Sequence, residues 1–175
     1  MTRPAPTTLL LLGSNIEPER HLRAARARLA AERGIAIEAC SAVYRTPAIG
    51  APGSPDFRNQ AAVISTALAP GALRVRLRAI EAALGRVRSD DPNAPRTIDI
   101  DIVARFDAGG TALPDPPADP ELERRHHLAL PAAELLPGAR LRPGGPTLAE
   151  IARALGDPPA GFHRLGSESA EAPPR

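Results

Sequence analysis

The chain has 175 residues and a formal net charge of +2, with 22 basic residues that are all Arg, a single Cys, three Phe and one Tyr. That length suits one domain whose core needs no disulfide or metal staple, and so small a net charge gives no argument for nucleic acid as a partner. A Walker A loop and a Schiff-base mechanism both need Lys and are excluded, so phosphate recognition has to rest on Arg, a metal or backbone N–H groups.

Cys40 alone permits neither an internal disulfide nor a Cys-rich zinc site, and its apolar neighbours point to an inert core thiol. No apolar run reaches the length of a signal peptide or a membrane span, so the expectation is a soluble cytoplasmic protein.

Residues 7–12 read as a buried strand of four leucines, ended by the turn residues Gly13-Ser14-Asn15. Pro18 suits the first turn of a helix, Leu22, Ala25 and Leu29 follow at helical spacing, and Gly34 closes it. Arg20, Arg23, Arg26 and Arg28 read as its solvated face. Residues 35–46 read as one strand, stopped by Pro47. After a Gly/Pro-rich connection, residues 57–66 form another. Pro70 opens a second helix with Leu73, Leu77, Ile80 and Leu84 on one face, closed by Gly85.

Arg86-Val87-Arg88 is a candidate start of an extended segment, and residues 89–95 read as a polar mobile loop. The next strand carries Asp99 and Asp101, and an irregular stretch covers 108–120. The segment 128–136, apolar around Pro131, fits a short strand or a helical turn. Thr147 and Glu150 fit a capping box for a last helix ending at Leu155. Beyond it the Pro, Gly, Ser and Glu content predicts a single domain over 1–155 and a flexible tail over 156–175. The order strand–helix–strand–strand–helix–strand predicts an α+β, ferredoxin-like βαββαβ sandwich: an antiparallel sheet with helices packed on it.

The chemistry concentrates around Pro95-Arg96-Thr97-Ile98-Asp99-Ile100-Asp101-Ile102-Val103. On a strand Asp99 and Asp101 share one face, with Cα atoms roughly 6.6 Å apart, and the isoleucines share the other. Such a pair serves as a platform for a hard cation or as the wet side of an edge strand, and spacing alone does not choose. Arg86, Arg88 and Arg96 flank the loop before it and could clamp phosphate bidentately; singly, each could equally be surface Arg in an Arg-rich chain. Phe57 and Asn59 share a face, as a plane and an amide suited to a flat heteroaromatic ring, although Phe57 reads as readily as core. Gly13-Ser14-Asn15 reads first as ordinary turn chemistry. His126-His127 lack a second ligand pair at metal-binding spacing.

In this order, Leu12-Gly13-Ser14-Asn15, Val43-Tyr44-Arg45-Thr46-Pro47, Pro55-Asp56-Phe57-Arg58-Asn59, Ile80-Glu81, Leu84-Gly85-Arg86-Val87-Arg88 and Pro95-Arg96-Thr97-Ile98-Asp99-Ile100-Asp101 resemble the 6-hydroxymethyl-7,8-dihydropterin pyrophosphokinases of the folate pathway. The resemblance spans residues 8–103 and, more loosely, 113–151. It implies an ATP- and Mg²⁺-dependent diphosphotransferase moving pyrophosphate from ATP to a pterin hydroxymethyl group and releasing AMP. Under it, Asp99 and Asp101 hold two Mg²⁺ ions, and Arg86 and Arg96 stabilise the transferred group. Arg88, Ile102 and Arg125 contact ATP. Thr46, Pro47, Ile49, Phe57 and Asn59 take the pterin.

The partners it implies are small molecules, ATP and a reduced pterin, with no nucleic acid and no membrane, on a monomer or weak dimer. Three departures stand out against the family's usual pattern. Pro92-Asn93-Ala94 replaces Arg-Trp-Gly, Asp119 replaces a nucleotide-contacting His, and His127 replaces a stacking Phe. They leave room for the same chemistry on a modified pterin, or for a catalytically weak pterin- or nucleotide-binding paralogue.

Overall fold

The computed structural model describes residues 5–48, 53–88, 90–91 and 94–166. At its centre lies β1 (Thr7–Ser14), paired antiparallel with β4 (Phe57–Thr66) on one side and β5 (Asp99–Phe106) on the other. With neighbours on both edges the leucine run is buried on both faces. Leu10 and Leu12 join the core under α1 (Pro18–Ala31) and α2 (Pro70–Ala83), whereas Leu9 and Leu11 face α3 (His126–Leu135) and α4 (Leu148–Ala154). Beyond β4 lie β2 (Ile35–Cys40) and β3 (Tyr44–Thr46), both antiparallel to it, and β6 (His163–Arg164) extends the sheet from β3. The architecture is the expected α+β ferredoxin-like sandwich, with α3 and α4 added on the second face.

The helices follow their predicted stripes. Leu22, Ala25 and Leu29 of α1 and Leu73, Leu77 and Ile80 of α2 are buried, and Gly34 and Gly85 turn the chain out at positive φ. Thr147 and Glu150 form the reciprocal capping box at the start of α4. Cys40 is half-buried and burial pushes its thiol up, so it stays protonated.

One irregularity decides which face each β5 residue occupies. Leu10 pairs with Ile102 but Leu9 pairs with Ala104, so Val103 is an extra residue in a β-bulge. Before the bulge Ile98, Ile100 and Ile102 point toward α1 and α2, leaving Asp99 and Asp101 on the opposite face. After it the parity inverts, and Ala104 and Phe106 enter the core under α3 and α4.

Several expectations need correction. The single strand over 35–46 is two strands, because Ser41 substitutes side-chain bonds for the ladder: its Oγ accepts from the Ala61 N–H at 2.9 Å and its carbonyl accepts from Gln60 Nε2 at 2.7 Å. The segment around Pro131 is a full helix; Pro131 sits inside α3 and only removes the donor that would face the His127 carbonyl. Residues 86–88 form no strand. Arg26 is not merely solvated, since its Nη1 donates to Gln60 Oε1 at 2.7 Å.

The flexible tail does not begin at 156. Phe162 is 7 % exposed and packs against Tyr44, with ring centroids 5.7 Å apart and planes tilted by 41°. Glu134 joins β6 to β3 by accepting from the Tyr44 hydroxyl, the Ala42 N–H and Arg164. An apolar anchor and a shared carboxylate thus hold the segment through Leu165, and residues 167–175 lie outside the described ones.

Candidate active site

The open end of the sheet, on the face toward α3, gathers polar residues in cross-strand rows. Asp99 pairs with Gly13, Gly13 with Asn59, and Asn59 with Tyr44. One row deeper, Asp101 pairs with Leu11. Over these rows lies a cleft of about 290 Å³. Gly13 forms part of its floor, and a Cβ there would stand 3.0 Å from Asn59 Oδ1. The glycine therefore keeps open the space that the amide faces, a role beyond ordinary turn chemistry.

Thr46 sets the amide's orientation: Asn59 Nδ2 donates to Thr46 Oγ1 at 2.9 Å, leaving Oδ1 on the Gly13 side. Phe57 supplies a half-exposed plane, with the Arg96 guanidinium 5.7 Å from its centroid. Pro47 and His127 complete the walls. The slot thus offers one aromatic plane, one imidazole and an oriented amide.

Basic residues converge on Asp99. Arg96 Nη1 lies 2.7 Å and Arg86 Nη2 3.7 Å from Asp99 Oδ2. Arg86 is largely buried, and its Nε and Nη1 have no hydrogen-bond partner. Buried donors without acceptors are costly, and an anion would satisfy those of Arg86. Asn15 fixes the approach of Arg96: its Oδ1 accepts from the Arg96 N–H at 2.7 Å, and its Nδ2 donates to the Pro55 carbonyl at 3.3 Å. Glu81, 3 % exposed, does the same for Arg88, accepting from its guanidinium at 2.7 Å and from the Ile100 N–H at 2.8 Å. Burial raises the Glu81 carboxyl, opposed chiefly by that N–H.

Asp101 is the hub. It is reachable from solvent, yet its surroundings, with repulsion from Asp99, Glu81 and Asp119, push its carboxyl up to about 6. Desolvation is the largest of these causes. Besides the Phe57/Asn59 slot, Asp101 lines a cavity of about 190 Å³ with Asp119, Arg125 and His127. It lines another of about 130 Å³ with Arg88, Ile102 and Asp99. The fold therefore brings Thr46, Pro47, Phe57 and Asn59 to one side of the aspartates, Arg88 and Ile102 to another and Arg125 to a third, with Arg86 and Arg96 on Asp99. Ile49 lies outside the described residues, as do Ser89, Pro92 and Asn93 of the intervening loop.

Among the described residues no three His, Cys, Asp or Glu side chains are grouped to hold a metal. Two carboxylates beside an anion site do fit Mg²⁺, which typically takes one or two carboxylates and completes its shell with phosphate oxygens and water. The mutual repulsion that raises Asp101 is what a cation relieves.

Some of this was hidden in the sequence. Asn15 and Glu81 stand inside motifs that carry the resemblance, but their work of tying segments together shows only in the fold, where Asn15 holds Arg96 and Pro55 and Glu81 holds Arg88 and Ile100. Arg74 and Arg78 line the Arg88 cavity and carry no local signal among so many arginines. Asp119 accepts from the Glu121 N–H at 2.9 Å and caps a short 3-10 turn, Pro120–Glu123. His127 does reach the slot; burial and the neighbouring Arg125 lower its pKa, which favours the neutral imidazole.

A family model described as 7,8-dihydro-6-hydroxymethylpterin-pyrophosphokinase (HPPK) matches residues 9–137. The chain belongs to the HPPK family. Two curated HPPK relatives are named 2-amino-4-hydroxy-6-hydroxymethyldihydropteridine pyrophosphokinase. The one from Synechocystis sp. is 35 % identical over 131 residues, covering 72 % of this chain and 64 % of its own. The one from Methylorubrum extorquens is 38 % identical over 157 residues, covering 88 % and 95 %. A crystal structure of Plasmodium falciparum HPPK-DHPS with pteroate superposes with a TM-score of 0.62 at 12 % identity, over 88 % of this chain and 43 % of that one, a likeness of fold. The chain thus spans less than two thirds of the Synechocystis HPPK and of the HPPK-DHPS chain.

Proposed function

We propose that the protein transfers the β,γ-pyrophosphoryl group of ATP to the hydroxymethyl oxygen of 6-hydroxymethyl-7,8-dihydropterin, releasing AMP, as a step of folate biosynthesis. The observation that carries this reading is the meeting of three cavities at Asp101: a flat slot, an Arg-lined recess and a carboxylate pair share one corner. Family membership supports the same activity.

In this reading the pterin lies between Phe57 and His127, with its edge read by Asn59 and by Thr46, Pro47 and Ile49. Its hydroxymethyl group then points toward the aspartates. ATP occupies the recesses of Arg88, Ile102 and Arg125. Asp99 and Asp101 would hold the Mg²⁺, two ions in the family's manner, which when bound neutralises triphosphate charge. The hydroxymethyl oxygen attacks the β-phosphorus, the bond from that phosphorus to the α,β-bridging oxygen breaks, AMP leaves with the electron pair, and the hydroxyl proton passes to solvent water. The unsatisfied donors of Arg86 meet the charge on the transferred group, and Arg96 turns from Asp99 toward phosphate. The proposed setting is the cytoplasm, with a monomer or weak dimer and no nucleic-acid or membrane partner. No helix among the described residues is long and apolar enough to cross a membrane.

His127 favours a second reading, the same transfer to a pterin with a modified side chain, because an imidazole wall adds a polar contact that a phenyl ring lacks. Asp119 and Pro92-Asn93-Ala94 leave the weak paralogue as the other outcome. The test is AMP release from ATP and Mg²⁺ with hydroxymethyldihydropterin and with side-chain-modified reduced pterins. Release with the first supports the main reading, and release only with a modified pterin selects the second. No AMP with any reduced pterin would sink both and leave a binding paralogue.

A further inference from the structure

At the far end of β5, roughly 20 Å from Asp99 at strand rise, sits Arg105, a largely buried cation. The Val103 bulge turns Arg105 to the same face as its cross-strand partner Thr8. Arg105 is only 8 % exposed and Thr8 fully buried. Arg105 Nε and Thr8 Oγ1 are both buried with no hydrogen-bond partner, and the guanidinium forms no ion pair among the described residues. Arg does not escape this cost by losing its proton. A largely buried arginine with an unpartnered Nε and no counter-ion among the described residues is a cost that an anion at its terminal nitrogens would reduce.

The residue does not face packed core. It lines a cleft of about 650 Å³ whose other walls include Ala5, Pro6, Ala67 and Leu113. Asp107 also borders the cleft; its Oδ1 accepts from the N–H groups of Gly109 and Thr111, both at 2.9 Å, and it forms no ion pair with Arg105, so its charge disfavours an anion on that side and leaves the apolar side of Ala5, Pro6, Ala67 and Leu113 for the ligand. The Leu113 N–H donates to the Arg105 carbonyl at 2.7 Å, which holds the apolar rim over the strand. The cleft is separate from the three cavities that meet at Asp101.

We propose that this cleft is a binding site for a small organic anion with an apolar body, its carboxylate or phosphate head held by the terminal nitrogens of Arg105 and its body against Ala5, Pro6, Ala67 and Leu113. Both head groups match the planar guanidinium fork. The test uses the full chain, following the amide resonances of Thr8, Arg105, Gly109 and Leu113 while sodium benzoate or inorganic phosphate is added.

Saturable shifts at these amides are expected. Benzoate binding tighter than phosphate assigns a carboxylate on an apolar body, and the reverse assigns a phosphate head group. Arg105→Leu should weaken binding about tenfold or more, the cost of losing a charge-assisted hydrogen bond, and leave AMP release unchanged. If Arg105→Leu fails to fold, Arg105→Lys, which keeps the charge and loses the fork, should weaken binding severalfold. No saturable shift with either anion, or equal affinity in the substituted chain, overturns the proposal.

Discussion

The two faces of β5 obey different rules. Toward α1 and α2, Ile98 and Ile100 are 0 % and 4 % exposed, and their environment is dry aliphatic packing. Toward α3, Asp99 and Asp101 are accessible, crowded by like charge and approached by Arg86 and Arg96. The same backbone thus carries a face chosen for stability and a face that works against it. Asp101 with a raised carboxyl and Arg86 with buried, unsatisfied donors are local costs, and such costs collect where a ligand is meant to offset them.

Substitution should separate the faces. Asp99→Asn or Asp101→Asn should lower AMP release about 10³-fold, the scale of losing several kcal/mol of charge stabilisation; the melting temperature should hold or rise in Asp101→Asn and fall in Asp99→Asn, which takes the ion-pair partner from Arg86 and Arg96. Arg86→Ala should cost about 10²–10³-fold in kcat, as for removing one donor to developing charge. Ile100→Ala, on the other face, should do the opposite: about 2–5 kcal/mol of stability lost in urea unfolding, with kcat near that of the parent below the transition. An Ile100→Ala chain as stable as the parent would break the comparison.

Two smaller effects sharpen it. Gly13→Ala puts a methyl 3.0 Å from Asn59 Oδ1 and should raise KM for the pterin about tenfold with KM for ATP unchanged. The pH dependence carries a definite sign. The Asp101 carboxyl rises from 3.8 to about 6 on folding, so between those values the folded chain binds more protons than the unfolded one. Its contribution is full below pH 3.8 and is lost as pH rises through about 6. The melting temperature in chelator should therefore decline across that window more in the parent than in Asp101→Asn, and Mg²⁺ should restore it above pH 6. Equal profiles for the two chains would show that Asp101 is an ordinary solvated carboxylate.

What could be read in the sequence follows the same division. The isoleucine and leucine stripes are periodic, so strands and helices were legible, as was the shared face of Asp99 and Asp101. The break at Ser41 was not, because it depends on bonds to Gln60 and Ala61 from another strand. Nor was the anchoring of Phe162, whose partner Tyr44 lies far away in sequence. The Val103 bulge leaves no mark in composition, yet it decides that Phe106 is core and that Arg105 faces a cleft. At the site, motif order pointed to Arg86, Arg96, Asp99 and Asp101 and contained Asn15 and Glu81 as well, but the Arg96 and Ile100 N–H groups that those two hold lie in other segments and show only in the fold.

The central claim is that a cation bound with ATP sits at the Asp99/Asp101 corner where the three cavities meet. Replacing Mg²⁺ by paramagnetic Mn²⁺ with ATP and recording amide resonances tests it directly. Broadening centred on Leu11, Gly13, Ile100, Asp101 and His127, abolished in Asp99→Asn and Asp101→Asn, is the predicted result. Broadening centred elsewhere, or unchanged in both substituted chains, would contradict the account.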